Sequence, residues 1–149
     1  WKEADYQAGA REDAMDIIYD TFIKILRADF VHDRYELIKS TQEDIIRDAG
    51  LSGSIKEYMD KYIDMGVIHP EDAGAYRDFT NPDKVLEHFR NNKKSLRLRY
   101  RRLLDGEYKW MELTVSKSKD YSEDVPIFIF YLREVRYINE DTMAPEIEK

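Results

Sequence analysis

The residues from Ser95 to Val135 constrain this chain most, because they read as three consecutive antiparallel strands: Ser95 to Leu104, Glu107 to Lys117 and Val125 to Val135. Between the first two sits Asp105-Gly106, a pair that tolerates the positive φ angles of a tight type I′ turn. Such a turn fixes the register. With Leu104 opposite Glu107, Tyr100 faces Met111, Leu98 faces Leu113 and Leu96 faces Val115, giving one wholly apolar side. On the other side Arg101 meets Trp110, Arg99 meets Glu112 and Arg97 meets Thr114, so a cation-π contact and an ion pair are expected on a wetter surface. The third strand carries Val125, Ile127, Ile129 and Tyr131 on one face and Phe128, Phe130 and Leu132 on the other. A strand apolar on both faces is expected at the centre of a sheet covered twice.

The flanking sequence supplies the cover. Ala10, Ala14, Ile17, Ile18 and Phe22 recur at three- and four-residue spacing, which predicts an amphipathic helix over Ala10 to Phe22. The polar residues Trp1 to Gly9 before it read as a disordered or linker end. Ile23 to Val31 and Arg34 to Ser40 predict a hairpin turning at His32-Asp33, with Phe30 opposite Tyr35 and Ala28 opposite Leu37. Short helices follow. Thr41 with Asp44 resembles a capping box, and Gly50 ends that turn after Ile45 and Ile46. Ser54 with Glu57 repeats the device for a helix that places Ile55, Tyr58, Met59, Tyr62 and Ile63 on its apolar side and stops at Gly66. Pro70 fits the first position of another short helix, with Glu71 and Asp72 in its first turn. Pro82 to Asn91 presents Val85, Leu86 and Phe89 at core spacing. The sum is an α+β domain over residues 23–138, with a five-stranded antiparallel sheet, short helices on one face and the N-terminal helix left for the other.

Composition narrows the function classes. With 149 residues, 42% hydrophobic and 13% aromatic, the chain suits one domain with a sizeable core. No stretch is long and apolar enough for a membrane span and no secretory signal is visible, so a cytoplasmic location without direct membrane contact is expected. The absence of cysteine excludes disulfides, thiolate zinc sites and thiol nucleophiles. A net charge of −7 opposes nucleic acid unless a local basic patch exists.

The run Val67-Ile68-His69-Pro70-Glu71-Asp72, followed by Tyr100-Arg101-Arg102-Leu103-Leu104-Asp105-Gly106-Glu107-Tyr108-Lys109-Trp110, resembles the signature of PAS domains of the PAS_3 type. So does the closing Phe128 to Val135, where Leu132-Arg133-Glu134-Val135 is similar to the end of the last PAS strand. The resemblance spans Ile17 to Val135. It implies strand order 2-1-5-4-3, which also puts the last strand at the centre, and a sensory or dimerisation module within a bacterial signalling protein. Such segments often precede GGDEF diguanylate cyclase or histidine kinase domains, which would make residues 139–149 a linker to an output domain.

Three histidines are the candidate metal or haem ligands, and they share no face or short spacing: His32 falls at a hairpin, His69 before a proline and His88 on a helix. No metal site is expected. Some PAS domains hold haem through a histidine on the helix that carries His88, but Leu86 and Phe89 are the inward residues there. Covalent flavin is excluded with the cysteines, which leaves the cofactor open. Glu71 and Asp72 have the form of an acid and base pair, yet the helix dipole and solvation account for them. Arg97, Arg99, Arg101 and Arg102 resemble a phosphate grip, yet alternating arginines suit a solvated strand face, and no nucleic-acid binding is expected. Face parity and the family likeness together place a small-molecule pocket among Tyr58, Tyr62, Leu86, Phe89, Leu98, Tyr100, Met111 and Leu113. They also place a homodimer interface on Ile17, Ile18, Phe22, Trp110, Phe128 and Phe130. The expected function is ligand sensing without catalysis. The alternatives are a ligand-free dimerisation scaffold and, from another class, a small cone-shaped α+β enzyme, which requires a buried polar dyad the residues do not assemble.

Overall fold

Asp105 and Gly106 both take left-handed φ angles, 52° and 78°, and the tight turn they form sets the register of the sheet's main hairpin. In the computed structural model, which describes residues 3–40, 52–91, 94–136 and 146–148, the elements run in this order. Helix α1 (Glu3–Thr21) leads into β1 (Lys24–Asp29), β2 (Arg34–Ser40) and β3 (Ser52–Gly53). Helices α2 (Ile55–Asp64), α3 (Ala73–Phe79) and α4 (Pro82–Arg90) follow, then β4 (Ser95–Leu104), β5 (Glu107–Lys117), β6 (Ile127–Glu134) and β7 (Glu146–Glu148). The fold is α+β with an antiparallel sheet.

The sheet is not five-stranded. Among the described residues six strands lie in the order β3-β2-β1-β6-β5-β4, and the short β7 pairs with Ser95–Arg97 at the β4 edge as a seventh. The five long strands keep the expected order, with β6 between β1 and β5. The β4–β5 register is the one the turn dictates, including Leu98↔Leu113, Tyr100↔Met111 and Arg101↔Trp110.

Three local expectations are corrected. The β1–β2 hairpin pairs Ala28 with Tyr35 and Leu26 with Leu37, not Phe30 with Tyr35. Phe30 to Asp33 form the loop instead, because the Asp29 carboxylate accepts from Val31 N (3.0 Å) and His32 N (3.1 Å) and Asp33 turns the chain at φ 51°. Helix α3 starts at Ala73 rather than Pro70. Helix α1 starts at Glu3, earlier than Ala10. The reading of Thr41, Asp44, Ile45, Ile46 and Gly50 as a capped turn lies outside the described residues.

Helices α2 and α4 are capped as their sequences require. Ser54 Oγ accepts from Glu57 N (3.2 Å) and Asn81 Oδ1 from Asp83 N (2.9 Å), and Gly66 closes α2 at φ 73°. Both are strongly amphipathic, burying Ile55, Tyr58, Met59 and Tyr62 from α2 and Val85 and Phe89 from α4. Their partner is the inner sheet face, where Leu26, Ala28, Leu98, Tyr100, Met111, Leu113 and Val115 are buried.

Phe128 and Phe130, expected on the outer face, belong to this inner face. Strand β6 pairs Leu132 with Leu113 and Phe130 with Val115, so its even-numbered residues share the core side of β5. Phe89 stands 4.9 Å from Phe128, and Phe30 5.6 Å from Phe128 and 6.0 Å from Phe130, closing an aromatic cluster under α4. The outer face of β6 is Ile127, Ile129 and Tyr131, all half-buried.

Candidate functional site

The inner face carries two cations that the apolar pattern conceals. Lys24 shares strand parity with Leu26 and Ala28, and Arg102 with Leu98, Tyr100 and Leu104. Both side chains therefore point under the helices, and they are 5% and 1% exposed. The backbone fixes Arg102 from the β4 edge, where Leu103 N donates to Val67 O (2.7 Å), His69 N donates to Arg101 O (2.9 Å) and Ile68 bridges to Arg102.

Above them α2 supplies aromatic rings at four-residue spacing. Lys24 Nζ lies 4.6 Å from the Tyr62 ring centre and 5.1 Å from that of Tyr58, and the Arg102 guanidinium lies 5.1 Å from the same Tyr62 ring. Burying each cation costs several kcal/mol after relaxation, roughly 2 kcal/mol of which a desolvated ring face can return. The Tyr58 and Tyr62 hydroxyls meet at 2.7 Å, and Tyr76 Oη donates to Met59 Sδ at 3.1 Å. Burial, with smaller contributions from Tyr100 and Tyr58, pushes the Tyr76 phenol well above its ordinary pKa despite the opposing Arg102 charge, so it stays neutral.

These groups surround a cavity of about 20 Å³, lined also by Leu26, Tyr100, Leu113, Phe130 and Leu132. That is space for roughly one water molecule. Four of the expected pocket residues, Tyr58, Tyr62, Tyr100 and Leu113, line it. Leu86, Phe89, Leu98 and Met111 do not: Leu86 is half-buried beside the core, and the other three are buried in it, Phe89 against Phe128. The lining supplies positive charge and phenolic donors, the equipment for holding an electron-rich guest. A separate open groove of about 250 Å³ runs between α2 and the α3–α4 junction, and its walls include Phe30, Ile55, Met59, Ile63 and Pro82.

The remaining candidates lie elsewhere. Glu71 and Asp72 sit on the outer side against Arg101: Glu71 Oε2 accepts from its Nη2 at 3.1 Å, and Asp72 holds the guanidinium at two of its nitrogens. Arg101 also stands 5.2 Å from the Trp110 ring, and Arg99 pairs with Glu112 at 3.3 Å. His69 Nδ1 accepts from Glu71 N (3.1 Å), His32 Nδ1 meets Asp29 Oδ2 (2.6 Å), and His88 is half-buried in the last turn of α4. Of the expected interface residues, Ile17 is 70% exposed, and Phe22 meets Tyr131 edge-on at 5.1 Å on the outer face that also bears half-buried Trp110. The Ile18 side chain lies outside the described residues. No described helix is long and apolar enough to cross a membrane, and no group of three or more potential metal ligands stands together among the described residues.

The sequence matches no family model and no curated protein.

Proposed function

We propose that this chain is a PAS-type sensory and signal-transduction module of a bacterial signalling protein, acting upstream of an output domain of the GGDEF or kinase kind. It binds a small ligand between α2 and the inner sheet face and transmits by rearrangement of a dimer. The observation that carries this reading is the small cavity between α2 and the inner sheet face, bordered by polar side chains. Seven of its lining side chains carry a hydroxyl, ammonium, guanidinium or thioether group, in a place where a core built only for stability would be apolar. The order of the five long strands agrees with it.

A ligand-free dimerisation scaffold is the second reading, and one observation favours it: the cavity admits only about 20 Å³. Native mass spectrometry of protein purified without added ligand separates the two. The sensor reading expects a mass increment over the bare chain that disappears in Leu132→Phe, which fills the cavity from β6 while the variant still folds. Bare-chain mass in both proteins, with no small molecule raising the melting temperature of either, leaves the scaffold.

A further inference from the structure

Helix α2 carries two stripes at four-residue spacing. Tyr58 and Tyr62 border the inner cavity, while Ile55, Met59 and Ile63, joined by Phe30 and Pro82, wall the open groove of about 250 Å³ toward the α3–α4 junction. Met59 borders both spaces. Tyr76 Oη donates to its sulfur at 3.1 Å, which fixes the wall between them. The polar groups of the groove are engaged with neighbours in the protein. Thr80 Oγ1 donates to Tyr76 O (2.8 Å), Asn81 Oδ1 caps α4, and Arg77 pairs with Asp60 at 3.7 Å. Asp33, which accepts from Lys56 N at 2.9 Å, also balances the Lys56 charge. The remaining surface of the groove is apolar.

We propose that the groove is a second ligand site, separate from the inner cavity, for an uncharged aromatic molecule of one or two rings. This goes beyond the sensor reading and does not depend on it. Size sets the bounds. An apolar cavity of roughly 150 Å³ holds a benzene ring, so about 250 Å³ leaves space for a fused second ring. Chemistry sets the class. A ring lying between Phe30 and Met59 gains ring–ring and sulfur–ring contacts in addition to the burial it finds on Ile55 and Ile63. A charged guest would give up hydration beside groups whose charges are already balanced, and it would find no opposite charge left to receive it.

The test uses the intact chain, labelled with ¹³C at its methionine methyl groups and titrated with indole, an uncharged two-ring probe. The Met59 resonance, assigned by its loss in Met59→Leu, is expected to move upfield and saturate, while those of Met15 and Met111, outside the groove, stay in place. The melting temperature should rise by roughly 3–6 °C at ten times the half-saturating concentration. Indole-3-acetate and tryptamine, which add a negative and a positive charge to the same rings, should each bind about tenfold more weakly. Ile63→Trp fills the groove from α2 and should abolish the shift. Ile63→Gln should raise the half-saturating concentration about tenfold, and it keeps the proposal testable if Ile63→Trp does not fold. Leu132→Phe, which fills the inner cavity, should leave the indole response unchanged. A Met59 resonance that indole does not move overturns the proposal, as does a shift that the Ile63 variants leave unchanged. A charged analogue that binds as tightly as indole overturns the uncharged class. A shift lost in Leu132→Phe but kept in Ile63→Gln puts the ring in the inner cavity, which overturns the groove while leaving the ligand-binding reading standing.

Discussion

Asp72 holds Arg101 by three hydrogen bonds: Oδ2 accepts from Arg101 N at 2.8 Å and from Nε at 2.9 Å, and Oδ1 accepts from Nη2 at 3.0 Å. One carboxylate thus ties the turn before α3 to both the backbone and the side chain of β4, while Asp72 O receives Tyr76 N (2.9 Å) inside the helix. Burial alone would raise the Asp72 carboxyl. The side-chain and backbone hydrogen bonds from Arg101, with the charges of Arg101 and His69, outweigh it and take the pKa below its ordinary 3.8.

The sign of the linkage follows. A carboxyl depressed in the folded state contributes its full stabilisation above the ordinary carboxylate range and loses it as pH falls through the depressed value. Asp72→Asn should cost about 1–3 kcal/mol in urea unfolding at pH 7. The gap to the parent should close as the pH falls below the ordinary value of 3.8. Asp29 and Asp33 are also depressed but act alike in both proteins. A gap independent of pH would mean that shape, not charge, is what Asp72 supplies.

Adjacent residues on β4 should respond oppositely to the same substitution. Leu98 is 2% exposed on the inner face, so Leu98→Asp buries a carboxylate among apolar side chains and should unfold the domain or cost more than about 4 kcal/mol. Arg99 points outward to Glu112, which Arg133 also holds at 3.0 Å, so Arg99→Asp should cost only about 1–2 kcal/mol. Equal melting temperatures for the two variants would contradict the assignment of faces.

How far the sequence reaches depends on what fixes register. Asp105-Gly106 leaves β4 and β5 no freedom, and every pair between them was legible. Strand β6 is reached through the longer Ser118 to Pro126 connection and is apolar on both sides, so its own pattern leaves open which face turns inward. Only its pairing with β5 decides, and it decides for Phe128 and Phe130. Lys24 and Arg102 failed differently. Their parity with Leu26 and with Leu98 and Tyr100 was on the page, but a charged residue type reads as solvent-facing, and Arg102 merged into the arginine cluster of the other face. Strict alternation would have found both. Tyr58, Tyr62 and Tyr100 were found because helix spacing and strand parity agree with residue type there.

The β1–β2 loop should matter to a helix it does not belong to. Asp33 Oδ2 accepts from Ser54 Oγ (2.5 Å) and Oδ1 from Lys56 N (2.9 Å), a carboxylate cap on α2 from across the chain that adds to the Ser54 hydroxyl. Asp33 also sits at φ 51°, where alanine is strained and glycine is not. Asp33→Gly should therefore lose about 1 kcal/mol for the cap alone, and Asp33→Ala about 1 kcal/mol more for the backbone. Chemical denaturation that ranks alanine above glycine would remove the backbone part of the argument.

Helix α1 should require a second copy of the chain. Its residues Gln7 to Ile17 are exposed, Met15 at 68% and Ile17 at 70%, so this stretch of the helix buries little against its own domain. Its sequence does not stabilise it alone either: its last turn contains Asp20 and no basic residue, the wrong sign for the helix dipole. An isolated helix of that kind is marginal in water, and burial against a partner is the usual remedy. On the PAS-type reading that partner is the symmetry mate, with α1 joining the outer face that Phe22 and Tyr131 already begin to cover. Analytical ultracentrifugation is expected to give a dimer for the full chain and a monomer, or aggregates, once residues 1–20 are removed. Ile17→Glu should weaken the dimer without lowering the melting temperature of the dissociated chain, because Ile17 touches nothing in its own domain that burial would reward. A monomer at high concentration before and after the deletion, with unchanged solubility, would rule out transmission through a dimer for this chain.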